Sequence, residues 1–197
     1  VGTEKAAGPV AVGEAPIHMN TLQISFDTEV SEIAKKQFNS DIKYVTQVLN
    51  KSSIGKLINC SIQLANHLDT NEYNDTAGIY TPATDIIQIS LRAGTKYDNS
   101  YKAVLLHELG HRFHIKCRLK IPKDVKYDFP EFWNAVYILN KQFKPGQFPT
   151  PYAATNYVEF WAESFMLYHL GKLQKSQPKL SRMVKNTINN YRDVLEI

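Results

Sequence analysis

The stretch AVLLHELGHRFHIKC, residues 103–117, sets two histidines four apart with a glutamate directly after the first. Four residues of α-helix turn through about 400°, so His107 and His111 lie one turn apart on nearly the same face. Leu105, Leu109 and Phe113 take the opposite side, and Gly110 leaves room for a close neighbour. Two readings fit: an amphipathic helix that carries two histidines by chance, or an HExxH metal helix. In the second, both imidazoles converge on one Zn²⁺ ion, each at about 2.0–2.1 Å, and Glu108 takes a proton from water. The motif lies on an apolar helix behind a strand and a capping signal, which favours the metal reading. One zinc per chain is the expected cofactor.

A catalytic zinc takes a third protein ligand and keeps a fourth position open. His114 lies about 4.5 Å further along the helix axis than His111, too far to share the ion easily, so a supporting or surface role is expected for it. Cys117 falls where a longer motif has its third ligand. That motif needs a glycine to bend the chain, however, and His114 stands at the glycine position, so Cys117 is rejected. The other concentrated signal is YAATNYVEFWAESFMLYHL, 152–170. Glu159 and Glu163 share one face of an expected helix among Phe160, Trp161, Phe165 and Leu167. Two carboxylates on so apolar a helix are costly to bury unless a cation or donor receives them. A zinc with two histidines is such a receiver: Glu159 would coordinate, and Glu163 would accept a hydrogen bond from a ligand histidine and fix its tautomer. The alternative for Glu159 is a capping box with Asn156, which leaves Glu163 unexplained.

HELGH at 107–111 followed by Y-x6-E-F-W-A-E-S-F at 152–165 resembles the anthrax lethal factor-like metallopeptidases and the related secreted Pro-Pro endopeptidases. The resemblance covers roughly residues 100–170. It implies a zincin-like domain of the gluzincin type, with His107, His111 and Glu159 as zinc ligands and Glu108 as general base. Tyr152, seven residues before Glu159, takes the place of the tyrosine whose hydroxyl faces the scissile carbonyl. The run Tyr152-Ala-Ala-Thr-Asn matches the lethal-factor form of this loop. Trp161 replaces a phenylalanine, His114 stands where relatives usually carry aspartate, and Val158 is not acidic as in the Pro-Pro endopeptidases. The implied activity is hydrolysis of peptide bonds in an extended peptide or protein, with the strand DIIQISL (85–91) as the edge that receives it. The same strand also reads as an internal one. A second function fits the motifs less well: a zinc-containing binding or accessory module derived from a peptidase, which would need neither Glu108 nor Tyr152.

Around these motifs the chain reads as α+β, with a small mixed sheet over the metal helix and a helical second half. TLQISF (21–26), LINCSIQL (57–64) and DIIQISL are strand candidates. A long helix reaches about Asn50, capped by Asp27 or Thr28, with Ile33, Phe38, Ile42, Val45 and Leu49 inward. Residues 65–84 and 92–100 read as loops, with Asn99 or Ser100 capping the metal helix. Further helices are expected over 130–142, 156–170 and 178–195. Phe129, Phe132, Trp133, Phe143 and Phe148 are read mainly as core. Residues 1–19, rich in Gly, Ala, Pro and Val, read as a flexible leader before one domain over 20–197.

The chain has 197 residues, 43% hydrophobic and 21% charged, which suits a folded domain of ordinary size. A net charge of +4 with scattered lysines argues against a nucleic-acid partner, and no apolar run approaches the ~18 residues of a membrane span. A monomer acting on peptide is expected. Cys60 and Cys117 read as two small buried thiols, with pairing left open. The start at Val1 without a signal peptide is read as a processed or excised form, and a secreted location is the expectation.

Overall fold

The computed structural model describes residues 21–68, 77–96, 100–122, 129–137 and 148–193. The readings for the leader 1–19, for Asn99, for Phe143 and for the end of the 130–142 helix lie outside these residues. Among them the fold is mixed, with a four-stranded sheet and a helical second half. Strand β1 (Gln23–Phe26) leads through helix α1 (Glu32–Lys51) and a 3-10 turn (Gly55–Ile58) into β2 (Ser61–Ala65). Strands β3 (Gly78–Thr81) and β4 (Ile86–Ser90) follow, and α2 (Leu91–Lys96) leads to the long α3 (Lys102–Lys120). Helix α4 (Pro130–Tyr137), a 3-10 turn (Tyr152–Ala154), α5 (Tyr157–His169), α6 (Leu173–Ser176) and α7 (Pro178–Tyr191) complete it.

The sheet order is β1-β2-β4-β3, with β1, β2 and β4 parallel and β3 antiparallel to β4. DIIQISL is therefore not the edge expected to receive substrate. It lies between β2 and β3 with Ile87 and Ile89 fully buried, as its apolar run demands when both faces are covered. The edge beside α3 is β3, which lies inside the segment expected to be loop. Its four residues make a hairpin with β4 across the turn Pro82–Asp85, and Asp85 takes a left-handed φ of 54°. Aspartate tolerates that conformation better than most residues.

Other local expectations shift for identifiable reasons. The cap of α1 is Ser31, whose Oγ accepts the Ala34 amide, while Asp27 accepts from Gln63 and the Asn66 amide and so ties β1 to β2. The later start leaves Ile33 82% exposed, whereas Phe38, Ile42, Val45 and Leu49 are buried as expected. Residues 57 and 58 belong to a 3-10 turn, and β2 starts only at Ser61. Helix α3 begins without a side-chain cap of its own; Asp41 of α1, buried, accepts the Tyr101 amide at 2.7 Å instead. An aspartate 60 residues upstream thus meets one orphan donor at the start of α3.

The core runs unbroken from α1 through the sheet to α3, α4, α5 and α7. Leu105, Leu109 and Phe113 of α3 are fully buried. Phe129 and Phe132 join Phe113, Phe160 and Trp161 in an aromatic cluster and are core side chains as expected, while Phe148, half-buried, packs edge-on to Phe160 at its margin. Cys60 and Cys117 are both buried and unlinked. No helix among the described residues is long and apolar enough to cross a membrane.

Candidate metal centre

The site is made where α3 and α5 cross. A Cβ on Gly110 would stand 3.0 Å from the Ala162 Cα and 3.3 Å from the Phe165 Cβ, so any larger residue would push the two helices apart by a few tenths of an ångström. Trp161 Nε1 donates to the Gly110 carbonyl at 2.8 Å and fixes the crossing point. Asn156 caps α5, its side-chain oxygen accepting the amides of Val158 and Glu159 at 3.0 Å each. The N-cap half of the capping box is therefore present, but the Glu159 carboxylate turns to the histidines.

His107 Nε2 and His111 Nε2 are 3.0 Å apart, and Glu159 Oε2 lies 3.2 Å from the first and 3.3 Å from the second. Two ligands each about 2.05 Å from a tetrahedral ion stand roughly 3.3 Å apart, so the three atoms outline one face of such a coordination shell. Glu159 Oε2 is buried and makes no hydrogen bond. An orphaned carboxylate oxygen costs free energy unless a cation meets it, and the imidazoles approach it with the same nitrogens that a metal would take. His107, His111 and Glu159 fit a zinc ion in donor type, number and spacing.

Glu163 stands one turn beyond Glu159, and its Oε1 is 2.7 Å from His107 Nδ1. This is the pairing expected for it: a carboxylate at ion-pair distance from Nδ1 favours the proton there and leaves Nε2 to ligate. Sequence reading missed Thr150. Its hydroxyl donates to Glu163 Oε2 at 2.7 Å and accepts the Ala153 amide at 3.1 Å, joining the carboxylate to the turn that carries Tyr152. A hydroxyl at 150 gives no helical or motif spacing to read, so only the folded loop reveals it. His114 is neither a metal neighbour nor on the surface. It is buried between the rings of Phe129 and Tyr157.

No family model matches the chain, and no curated protein matches it. The chemistry of the site is therefore read from its own groups. Burial opposes protonation of His107, but Glu159 and Glu163 overcome it and hold the imidazolium up to about 10. Burial likewise works to raise Glu159, and the two imidazoles reverse it, to about 2. Glu163 is lowered against its burial by His107 and Thr150. A pocket that keeps an imidazole charged at such a pH is one whose field favours positive charge.

Glu108 is buried, and burial raises its carboxyl while the neighbouring histidines pull the other way. Its carboxylate accepts the Tyr80 amide of β3. Tyr152 stays half exposed, with its ring centroid 6.0 Å from that of His107 and its hydroxyl beside the Glu159 carboxylate. Burial and the Glu159 carboxylate push its phenol up to about 12, so the hydroxyl keeps its proton at neutral pH and can donate. The five residues expected around the ion, and the tyrosine beside them, thus come from two helices and one short turn.

Proposed function

We propose that this chain is a zinc-dependent endopeptidase, as the resemblance of its two motifs to the lethal factor-like metallopeptidases implies. The observation that carries the reading is the buried, unbonded Glu159 oxygen within 3.3 Å of both imidazole Nε2 atoms. His107, His111 and Glu159 would hold the ion, with Glu163 orienting His107. When bound, zinc supplies Lewis acidity that polarises a carbonyl and acidifies water. Glu108 takes a proton from the attacking water and delivers it to the leaving amine. Its burial and raised affinity for a proton suit a group that must both accept and give one. The Tyr152 hydroxyl donates to the oxyanion of the tetrahedral intermediate.

The substrate class is an extended peptide paired with the outer edge of β3. Ser90 N donates to Ala77 O, and alternation in this antiparallel register gives Ile79 and Thr81 the bonds to β4. The main-chain groups of Gly78 and the Tyr80 carbonyl then face away from the sheet, where an added strand would bond, while the Tyr80 amide is held by Glu108. An accessory zinc module has no use for a base at that edge.

The test combines metal analysis with a diverse peptide library incubated with and without chelator. About one zinc per chain and chelator-sensitive cleavage are expected. Glu108→Ala should keep the zinc and lose turnover by at least ~10³; near-normal turnover in that variant would remove the mechanism.

A further inference from the structure

Val104, Glu108, Arg112 and Lys116 are spaced four apart on α3 and form a row beside the His107–His111 face. The β3 strand and its turn lie along this row. A Cβ on Gly78 would reach 2.6 Å from Val104 Cγ1 and 3.1 Å from Glu108 Oε1, so the strand passes directly over the base. One turn along, Arg112 Nε and Nη2 each donate to Asp85 at 2.7 Å. Lys116 Nζ lies 3.4 Å from the same carboxylate. Nη1 and the second Nη2 donor bond the carbonyls of Leu57 and Asn59, so Arg112, 3% exposed, cannot swing. Tyr80 links the two ends: its hydroxyl donates to Asp85 at 3.1 Å and its amide to Glu108.

We propose that Asp85, Arg112 and Tyr80 are positioning residues that lock the register of β3 on α3 and thereby aim the Glu108 carboxylate. The proposal rests on the peptidase reading for its consequence in turnover, but the lock itself stands apart from it. A bidentate arginine–carboxylate pair fixes direction as well as distance. Pairing with β4 sets which face of β3 meets α3. The grip on Asp85 in the turn sets how far along α3 the hairpin lies, and a shift there would carry the strand off the base. The Tyr80 amide would then leave Glu108, and a side chain would press where Gly78 now gives room. Histidine and Glu159 positions depend on α3 and α5, not on β3, so the lock bears on the base and leaves metal binding alone.

Asp85→Asn keeps the shape and removes the charge. Relative to wild type, kcat should fall about tenfold or more, with KM and zinc affinity nearly unchanged. Amide exchange at Tyr80, followed by NMR, should speed up about tenfold or more as its partner is lost. Val184→Ala, a core change in α7 away from this row, should lower Tm without changing kcat, which separates register from general loosening. Unchanged Tyr80 exchange in Asp85→Asn overturns the proposal, whatever happens to turnover. Faster exchange in a protein whose wild type cleaves no peptide leaves the lock standing and removes the peptidase reading instead. Should Asp85→Asn not fold, Tyr80→Phe removes a single hydroxyl, and the same two measurements should move in the same direction by a few-fold.

Discussion

Gly110 offers the sharpest test of how the centre is assembled. In an isolated helix, Gly110→Ala would gain about 1 kcal/mol, because alanine loses less backbone freedom on folding. Here the added methyl meets the Ala162 backbone at 3.0 Å and Phe165 at 3.3 Å, a few tenths of an ångström inside ordinary contact. Overpacking of this kind costs about 1–3 kcal/mol, so the net effect runs from neutral to about 2 kcal/mol destabilising. For a chain of this size that is a fall in Tm of up to about 8 °C. The metal should register the change more strongly. His107 and His111 ride on α3 and Glu159 on α5, so separating the helices stretches the 3.2 and 3.3 Å spacings. Ligand distances tolerate only about ±0.2 Å, and a tenfold or greater loss of zinc affinity is expected. Chelator competition gives the affinity, and thermal unfolding with and without zinc gives the stability. A variant that gained Tm and kept wild-type zinc affinity would refute the claim that this close crossing builds the centre.

Glu163→Ala should weaken zinc binding by about 10–100-fold while the protein stays folded, measured by the same competition. Tyr152→Phe should keep full zinc occupancy and lose about 10²–10³ in kcat, since one oxyanion donor is removed and no ligand is touched. His169 gives a pH signature away from the candidate metal centre: its Nδ1–H donates to the Phe165 carbonyl at 2.9 Å and its Nε2 accepts from Ser52 at 3.1 Å. Burial pushes its imidazole down to about 4. A depressed histidine favours the fold fully above the unfolded value near 6.5, and this contribution, up to about 3 kcal/mol, is lost as pH falls towards 4. Urea unfolding between pH 7 and 4 should therefore be less steep in pH for His169→Gln than for wild type, and equal slopes would contradict the assignment.

Much of the candidate centre is legible in the chain because its parts are local and helical. The four-residue spacings His107–His111 and Glu159–Glu163 each put a pair on one helix face, a consequence of 3.6 residues per turn that needs no tertiary knowledge. The apolar faces of α1, α3 and α5, Asn156 as a cap and the buried cysteines follow from the same local rules. The sheet edge is less legible. Ile-Tyr-Thr, the turn Pro82–Asp85 and Ile-Ile-Gln-Ile form a hairpin signal, but it lies at the end of a polar, glycine-bearing run that masks it.

What the tertiary structure alone decides is which residues meet across the chain. Pairing places DIIQISL inside the sheet and makes β3 the edge, because strand order depends on neighbours and not on the strand's own residues. Asp41 capping α3, Thr150 holding Glu163 and Asp85 gripping Arg112 join groups with no periodicity between them. Periodicity fixes the face of an element on which a side chain lies. Its partner across a long separation is chosen only when the core closes and each buried polar group must find a mate.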